Sequence, residues 1–342
     1  MAKYRNDLPQ LGDQLFLTDS GLETWLLFQQ GVDLPEFAAF PLLDEAEGRK
    51  HITSYMRRHA QIAADAGLGF ILETPTWRAS AQWGERLGYD AAGLAKNNRA
   101  AIEFLLELRE EFETASSPFV ISGQMGPYGD GYSPEALLSP EDAMAYHAAQ
   151  IETFAEADAD FVSALTMTHT GEAIGIAAAA QTAGIPAVIS FTVETDGRLP
   201  SGESLAEAIE CVDAATGAGP AYYMINCAHP THFEAVLGSG APVLQRIRAL
   251  RANASAKSHE ELDNSTQLDE GDPVEFAAQY RALRGVLPNV TILGGCCGTD
   301  HRHVEAICLA CGAQGCAAAA TLVRPAVNLG KQLNGLDEQR PT

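Results

Sequence analysis

Short apolar runs alternate with longer amphipathic stretches along this chain. The first run, at 15–17, ends in a polar turn that reaches residue 24, and a helix through Trp25, Leu26 and Leu27 follows. Residues 45–66 read as a helix, with apolar positions at Ile52, Met56 and Ile62 spaced for one face. A second strand and its loop occupy 67–77, and 91–112 is strongly helical. The third strand is 119–124, followed by a Gly/Tyr/Pro loop and a helix from 139 to about 156. Ser139 and Pro140 open that helix in the expected way, as cap and first residue. Strands at 160–165 and 186–192 flank an alanine-rich helix at 172–183. A helix at 205–216, a strand at 221–226 and a helix near Phe233 come next. A less apolar seventh strand spans 247–253. The stretch 256–272 is acidic and polar and reads as a long solvated loop. Helix 274–283, strand 290–293 and a last helix ending at Gly312 complete the series. Eight strands alternating with helices predict an α/β fold of the (β/α)8 TIM barrel type. With no linker or repeat, 1–342 reads as one domain, and its polar end, 331–342, is expected to fray.

Composition narrows the partners. The 342 residues are 46% hydrophobic and 20% charged, a globular balance, and carry a formal charge of −23. So acidic a chain is not expected to bind nucleic acid, which is met by basic patches. No apolar run reaches the roughly 18–20 residues of a membrane helix, and the first ten residues lack a signal-peptide core. The expected location is therefore the cytoplasm, where the seven cysteines would be reduced and free to bind metal. Nothing in the sequence fixes the assembly, which leaves room for a homo-oligomer.

Chemistry concentrates at two strand ends. Gly294-Gly295-Cys296-Cys297-Gly298-Thr299-Asp300 follows the eighth strand on the turn into a helix. Asn226-Cys227-Ala228-His229 closes the sixth. Strand ends at one face of a parallel barrel are where active sites collect. Three cysteines there make an all-thiolate zinc site, Cys227, Cys296 and Cys297, with the fourth position open to substrate. Such a zinc suits a substrate thiol, which can lose its proton and stay nucleophilic. The alternative is three buried structural cysteines. Cys308 and Cys311, with Cys316 nearby, read as ordinary helix cysteines, and Cys211 as structural. His229 is either a contact near the site or an exposed loop residue. His301 and His303 are expected to be solvated.

These motifs, with the opening Asp19-Ser20-Gly21-Leu22-Glu23-Thr24, Gly126-Pro127-Tyr128-Gly129, His147, Ser190-Phe191-Thr192 and Ser201-Gly202-Glu203-Ser204-Leu205, resemble the homocysteine S-methyltransferase family from about 15 to 309. The resemblance implies a (β/α)8 barrel, Zn2+ on the three cysteines and methyl transfer to homocysteine, giving methionine. It further implies that Asp19, Ser20, Gly21 and Leu22 bind the amino acid portion of the acceptor. Glu23, Glu73 and Asn226 join them as candidate substrate contacts, Glu23 being equally at home as a first-turn carboxylate. The chain departs from the family where a Glu-Thr pair that binds the amino group is replaced by Leu165-Thr166, and where Glu73-Thr74-Pro75-Thr76 ends the second strand. Glu73 is then the candidate partner for a positive group on acceptor or donor. The partners implied are small molecules: a thiol and an onium methyl donor such as S-methylmethionine, S-adenosylmethionine or betaine. Trp77 is placed either to face a cationic donor or to pack on the rim. Alternatives that stay open are another thiol acceptor, demethylation by water, and a non-catalytic barrel that binds zinc or a thiol.

Overall fold

The structure is a computed structural model that describes residues 1–132 and 136–312. Eight parallel strands close into a barrel in sequence order: β1 (Phe16–Thr18), β2 (Gly69–Glu73), β3 (Phe119–Met125), β4 (Phe161–Met167), β5 (Ala187–Phe191), β6 (Tyr222–Asn226), β7 (Ile247–Ala252) and β8 (Ile292–Gly295). The barrel closes where Phe16 of β1 meets Ile292 of β8. One main helix follows each strand: α1 (Ala46–Ala66), α2 (Ala91–Phe112), α3 (Pro140–Glu156), α4 (Thr170–Ala183), α5 (Leu205–Thr216), α6 (Pro230–Leu237), α7 (Pro273–Val286) and α8 (His301–Cys311). The expected fold is therefore the one observed, β7 included. A short helix, Ala81–Arg86, lies between the second strand's loop and the helix from 91, where the sequence reading assigns no element, and residues 331–342 lie outside the described residues.

Side chains alternate along each strand, so one set faces the helices and the other fills the barrel. Leu17, Phe70, Ile121 and Val162 belong to the large core between strands and helices. Phe16, Ile71, Val120, Phe161, Val188, Tyr222, Met224 and Ile292 form a separate cluster inside the barrel, with Leu8 among them. Two residues further along β2, β3, β4 and β7, the same inward alternation reaches Glu73, Ser122, Ser163 and Arg251, all buried. The barrel is therefore apolar toward the strand starts and polar toward the strand ends.

The stretch 256–272 departs from its reading as a solvated loop. It contains a short helix, His259–Asp263, capped by Ser258. Leu262, Ser265, Leu268 and Asp269 wall the cavity described next, and His259 is buried. The acidic residues of the stretch hide a minority of apolar ones that fold inward.

Candidate metal centre and binding cavity

β6 and β8 deliver their terminal cysteines to one point. The sulfurs of Cys227, Cys296 and Cys297 all lie within 4.8 Å of one another, the metal-ligating cluster found among the described residues. The turn that carries the pair is fastened on both sides. Gly295 N donates to Asp19 O at 3.0 Å, Cys296 N to Ala252 O at 2.9 Å and Gly298 N to Thr24 Oγ1 at 3.1 Å. Gly298 has φ +81°, a conformation that strains other residues, and a Cβ on Gly21 would come within 2.5 Å of the Cys296 carbonyl oxygen. Both glycines are thus required for the turn to seat against β1.

Cys227 itself has φ 54°, as Thr166 has φ 65°, and neither is glycine. Backbone held this way must be over-determined by its surroundings. Asn226 supplies the constraint. Its Oδ1 accepts from Thr166 N at 2.8 Å and Ser190 Oγ at 2.5 Å, and its Nδ2 donates to Thr166 Oγ1 at 2.8 Å. The same amide lies 3.9 Å from Cys296 Sγ. Asn226 therefore ties the ends of β4, β5 and β6 together beside the cysteines.

A second frame comes from the loops. Tyr132 donates to Cys297 Sγ at 3.7 Å and stacks on His259, ring centroids 4.0 Å apart. His259 Nε2 donates to the Cys227 carbonyl at 2.8 Å, and its Nδ1 meets Glu194 at 2.9 Å. Burial pushes the Cys297 thiol up to about 11. The structure joins Cys227 and Cys296 as a disulfide, where the sequence suggests free thiols. Their Cα atoms, 5.4 Å apart, lie within disulfide reach because the two strand ends converge.

The donor set fits zinc. Three sulfurs at about 2.3 Å from one ion would sit roughly 3.8 Å apart, so the joined Cys227 and Cys296 would have to be reduced and move apart to hold it. The remaining side opens to a cavity of about 400 Å3. Its walls include Glu23, Trp77, Arg78, Tyr132, Leu165 and Thr166.

Of the proposed substrate contacts, Glu23 and Asn226 line this cavity, whereas Asp19, Ser20, Gly21, Leu22 and Glu73 are not among the residues that line it. Asp19 gives one oxygen to Arg251 Nη2 at 2.6 Å and the other to Tyr55 at 3.3 Å. Ser20 is bonded through its amide to Tyr55 and through its hydroxyl to His59. Glu73 does not open to the mouth. It is 2% exposed, accepts from Ser163 at 2.7 Å and lies 3.6 Å from Arg251 Nη1. Its positive partner is thus the protein's own Arg251, a residue that sequence reasoning missed. Burial still pushes the Glu73 carboxyl up to about 7, against the pull of Arg251. Glu23 is likewise raised to about 7 by burial.

Other expectations change as well. Trp77 lines the cavity, but the cation over its ring, at 4.2 Å, is Arg78. His229 is buried and caps α6 by accepting from Thr231 N. His303, expected in solvent, is fully buried. Its Nε2 donates to Glu270 O at 2.9 Å, and its Nδ1 accepts from Asp300 N at 3.1 Å. His301 is partly exposed. Cys211 is exposed on α5 rather than structural. Cys308 and Cys311 lie on α8, away from the sulfur cluster, while Cys316 lies outside the described residues.

Comparison with known proteins bears on the family and the fold. The model of the homocysteine S-methyltransferase family matches residues 16–311. Among solved structures, the homocysteine methyltransferase MmuM from Escherichia coli is similar in its metallated form, with TM-score 0.66 and 19% identity over 88% of this chain and 98% of that one. Its oxidized form gives TM-score 0.68 and 20% identity over 88% and 97%. No curated protein sequence matches the chain.

Proposed function

Because the chain belongs to the homocysteine S-methyltransferase family and is a methyltransferase, we propose that it transfers a methyl group from an onium donor to a thiol, with zinc on Cys227, Cys296 and Cys297. The observation that carries the reading is the convergence of three cysteine sulfurs at strand ends beside one cavity. Zinc bound there would lower the pKa of an acceptor thiol and keep its sulfur nucleophilic.

The chain's own residues supply position and polarity. Asn226 fixes the left-handed turn at Cys227, and Tyr132 donates a hydrogen bond to Cys297. Among the described residues, Glu23, Asp130, Asp263 and Asp269 face the cavity against a single guanidinium, Arg78, a balance that favours a cationic donor. Leu27, Phe28, Phe37, Leu262 and Leu268 supply apolar wall, which excludes water and strengthens the charge interactions inside. In the transfer, the acceptor sulfur forms a bond to the methyl carbon while the bond from that carbon to the onium atom breaks. The bonding pair leaves with the donor, which becomes neutral at that atom. Holding the two reactants in line inside the cavity removes much of the entropic barrier.

The test is direct. The reduced chain should hold one zinc, and with S-methylmethionine, S-adenosylmethionine or betaine it should convert homocysteine to methionine. A zinc-loaded sample that methylates no thiol with any of these donors would sink the reading.

A further inference from the structure

Two buried carboxylates near the site are already spent. Asp19 is held by Arg251 and Tyr55, and Glu73 by Arg251 and Ser163, and neither lines the cavity. Glu23 and Arg78 differ from both. They line the cavity, influence each other electrostatically, and make no ion pair with each other within 4.0 Å among the described residues.

Arg78 is built rather than incidental. It is only 7% exposed, and its guanidinium is stacked between Trp77 at 4.2 Å and Trp83 at 3.5 Å. Stacking fixes the plane of the fork. Nη1 donates to Gly129 O at 3.0 Å, whereas the buried Nε has no hydrogen-bond partner. An unused donor on a buried guanidinium costs free energy unless something fills it. Asp130, also on the cavity wall, offsets part of the charge. An arginine that lines a cavity binds a carboxylate by charge-assisted hydrogen bonds from its N–H groups. Glu23, for its part, has no side-chain partner among the described residues and sits close enough to Cys297 to influence it. Glu23 and Arg78 therefore face the cavity beside the sulfur cluster, opposite in charge and unpaired with each other.

We infer that Glu23 and Arg78 together hold an α-amino-acid head group, the ammonium against Glu23 and the carboxylate against Arg78. The inference rests on the methyl-transfer reading and names what that site recognises. The head group can belong to the acceptor or to the donor, since homocysteine and S-methylmethionine share it. Either way, recognition comes from the turn after β1 and the loop after β2, and Leu165 on β4 offers only an apolar side chain.

The test begins with equilibrium binding to the reduced, zinc-loaded chain, measured by calorimetry. The probes are methionine, 3-(methylthio)propylamine, which lacks the carboxylate, and 4-(methylthio)butanoate, which lacks the ammonium. Methionine should bind tightest, each analogue losing roughly 10- to 100-fold, the scale of a charge-assisted hydrogen bond. Arg78→Gln should weaken methionine and the butanoate by that factor and leave the amine unchanged. Glu23→Gln should do the mirror image, and Arg78→Lys, with the charge but without the fork, should fall between. Zinc content and circular dichroism confirm that each variant is folded. KM values for homocysteine and S-methylmethionine then assign the head group to acceptor or donor, according to which one rises. Similar affinity for all three probes in the wild type, or equal weakening of all three by a variant, overturns the inference. Thiol methylation without head-group preference sinks the clamp and spares the function. Selective binding without any thiol methylation does the reverse.

Discussion

Two polar regions lie within a few residues of each other at the strand ends, and they are built on opposite principles. Inside the barrel, Asp19, Arg251 and Glu73 are buried and closed on one another, with Tyr55 and Ser163 completing the set. In the cavity above, Glu23, Arg78 and the three cysteines face a shared space. Charges paired with each other frame a site, whereas charges that face a cavity without pairing across it can read a ligand. Substitutions in the first region should therefore cost stability, and those in the second should cost chemistry.

The largest expected effect is in the open region. Cys297→Ala should abolish stoichiometric zinc binding and lower turnover by more than roughly 100-fold, since partners that merely support a ligand already act on that scale. Its unfolding midpoint, measured in chelator beside the wild type, should hardly move. Full zinc occupancy with normal turnover would remove the metal centre from the mechanism. Reductant should matter in the same experiment. Cys227 and Cys296 cannot serve as thiolate ligands while joined, so an oxidised sample should be inactive until reduced.

In the closed region, Arg251→Leu should destabilise the fold by about 3–5 kcal/mol, because it strands two buried carboxylates. Urea unfolding checks this. The deficit should shrink at pH 5, where protonation can neutralise both acids. A variant as stable as wild type at pH 8 would mean that the cluster does not hold its charges in this way.

The fold was legible because alternation in the strands and helical spacing agree along the whole chain, even in the arginine-containing β7. The cysteine cluster was legible because three scarce residues fell at strand ends. Arg251 was not, although a signal existed. The alternation that turns Ala249 inward also turns Arg251 inward, and the same rule on β2 takes Ile71 to Glu73. Two inward positions of opposite charge on separate strands are a pair that pattern alone could have proposed. Arg78 carried no such signal. It sits in a loop, where no period says which way a side chain points, and its burial depends on Trp77 and Trp83 meeting it in space. The acidic stretch 256–272 misled for a related reason. Its solvated carboxylates outnumber Leu262 and Leu268, yet those two leucines line the cavity.

A smaller effect separates the regions by pH. Burial raises the Glu73 carboxyl to about 7, above the 4.5 of an unhindered glutamate. The folded form then binds its proton more tightly than the unfolded form. The resulting stability is complete below about 4.5 and is lost as pH rises through about 7. Glu73→Gln keeps an oxygen for Ser163 and removes the titration. In a Cys297→Ala background, which keeps zinc out of the comparison, the wild-type residue should lose about 1–3 kcal/mol more than Gln between pH 5 and pH 8. Parallel pH profiles would show that Arg251 holds Glu73 ionised throughout.

The smallest effect is expected from cysteines that belong to neither region. Cys308 and Cys311 lie three residues apart on α8, which packs outside the barrel against α1 and α7. Cys308 is buried in the layer between strands and helices, and Cys311 is partly exposed at the helix end. Neither joins the cluster formed by Cys227, Cys296 and Cys297. Replacing both with alanine removes one buried sulfur from a well-packed layer, which should cost about 1 kcal/mol and leave the barrel mouth untouched. Zinc content should stay at one per chain, and turnover should stay within about twofold, the precision of comparing two folded preparations. Metal analysis of the double variant beside Cys297→Ala makes the contrast sharp. Loss of the zinc from the double variant would mean that sulfur outside the barrel feeds the metal centre, and the division between framing and reading residues would have to be redrawn to include α8.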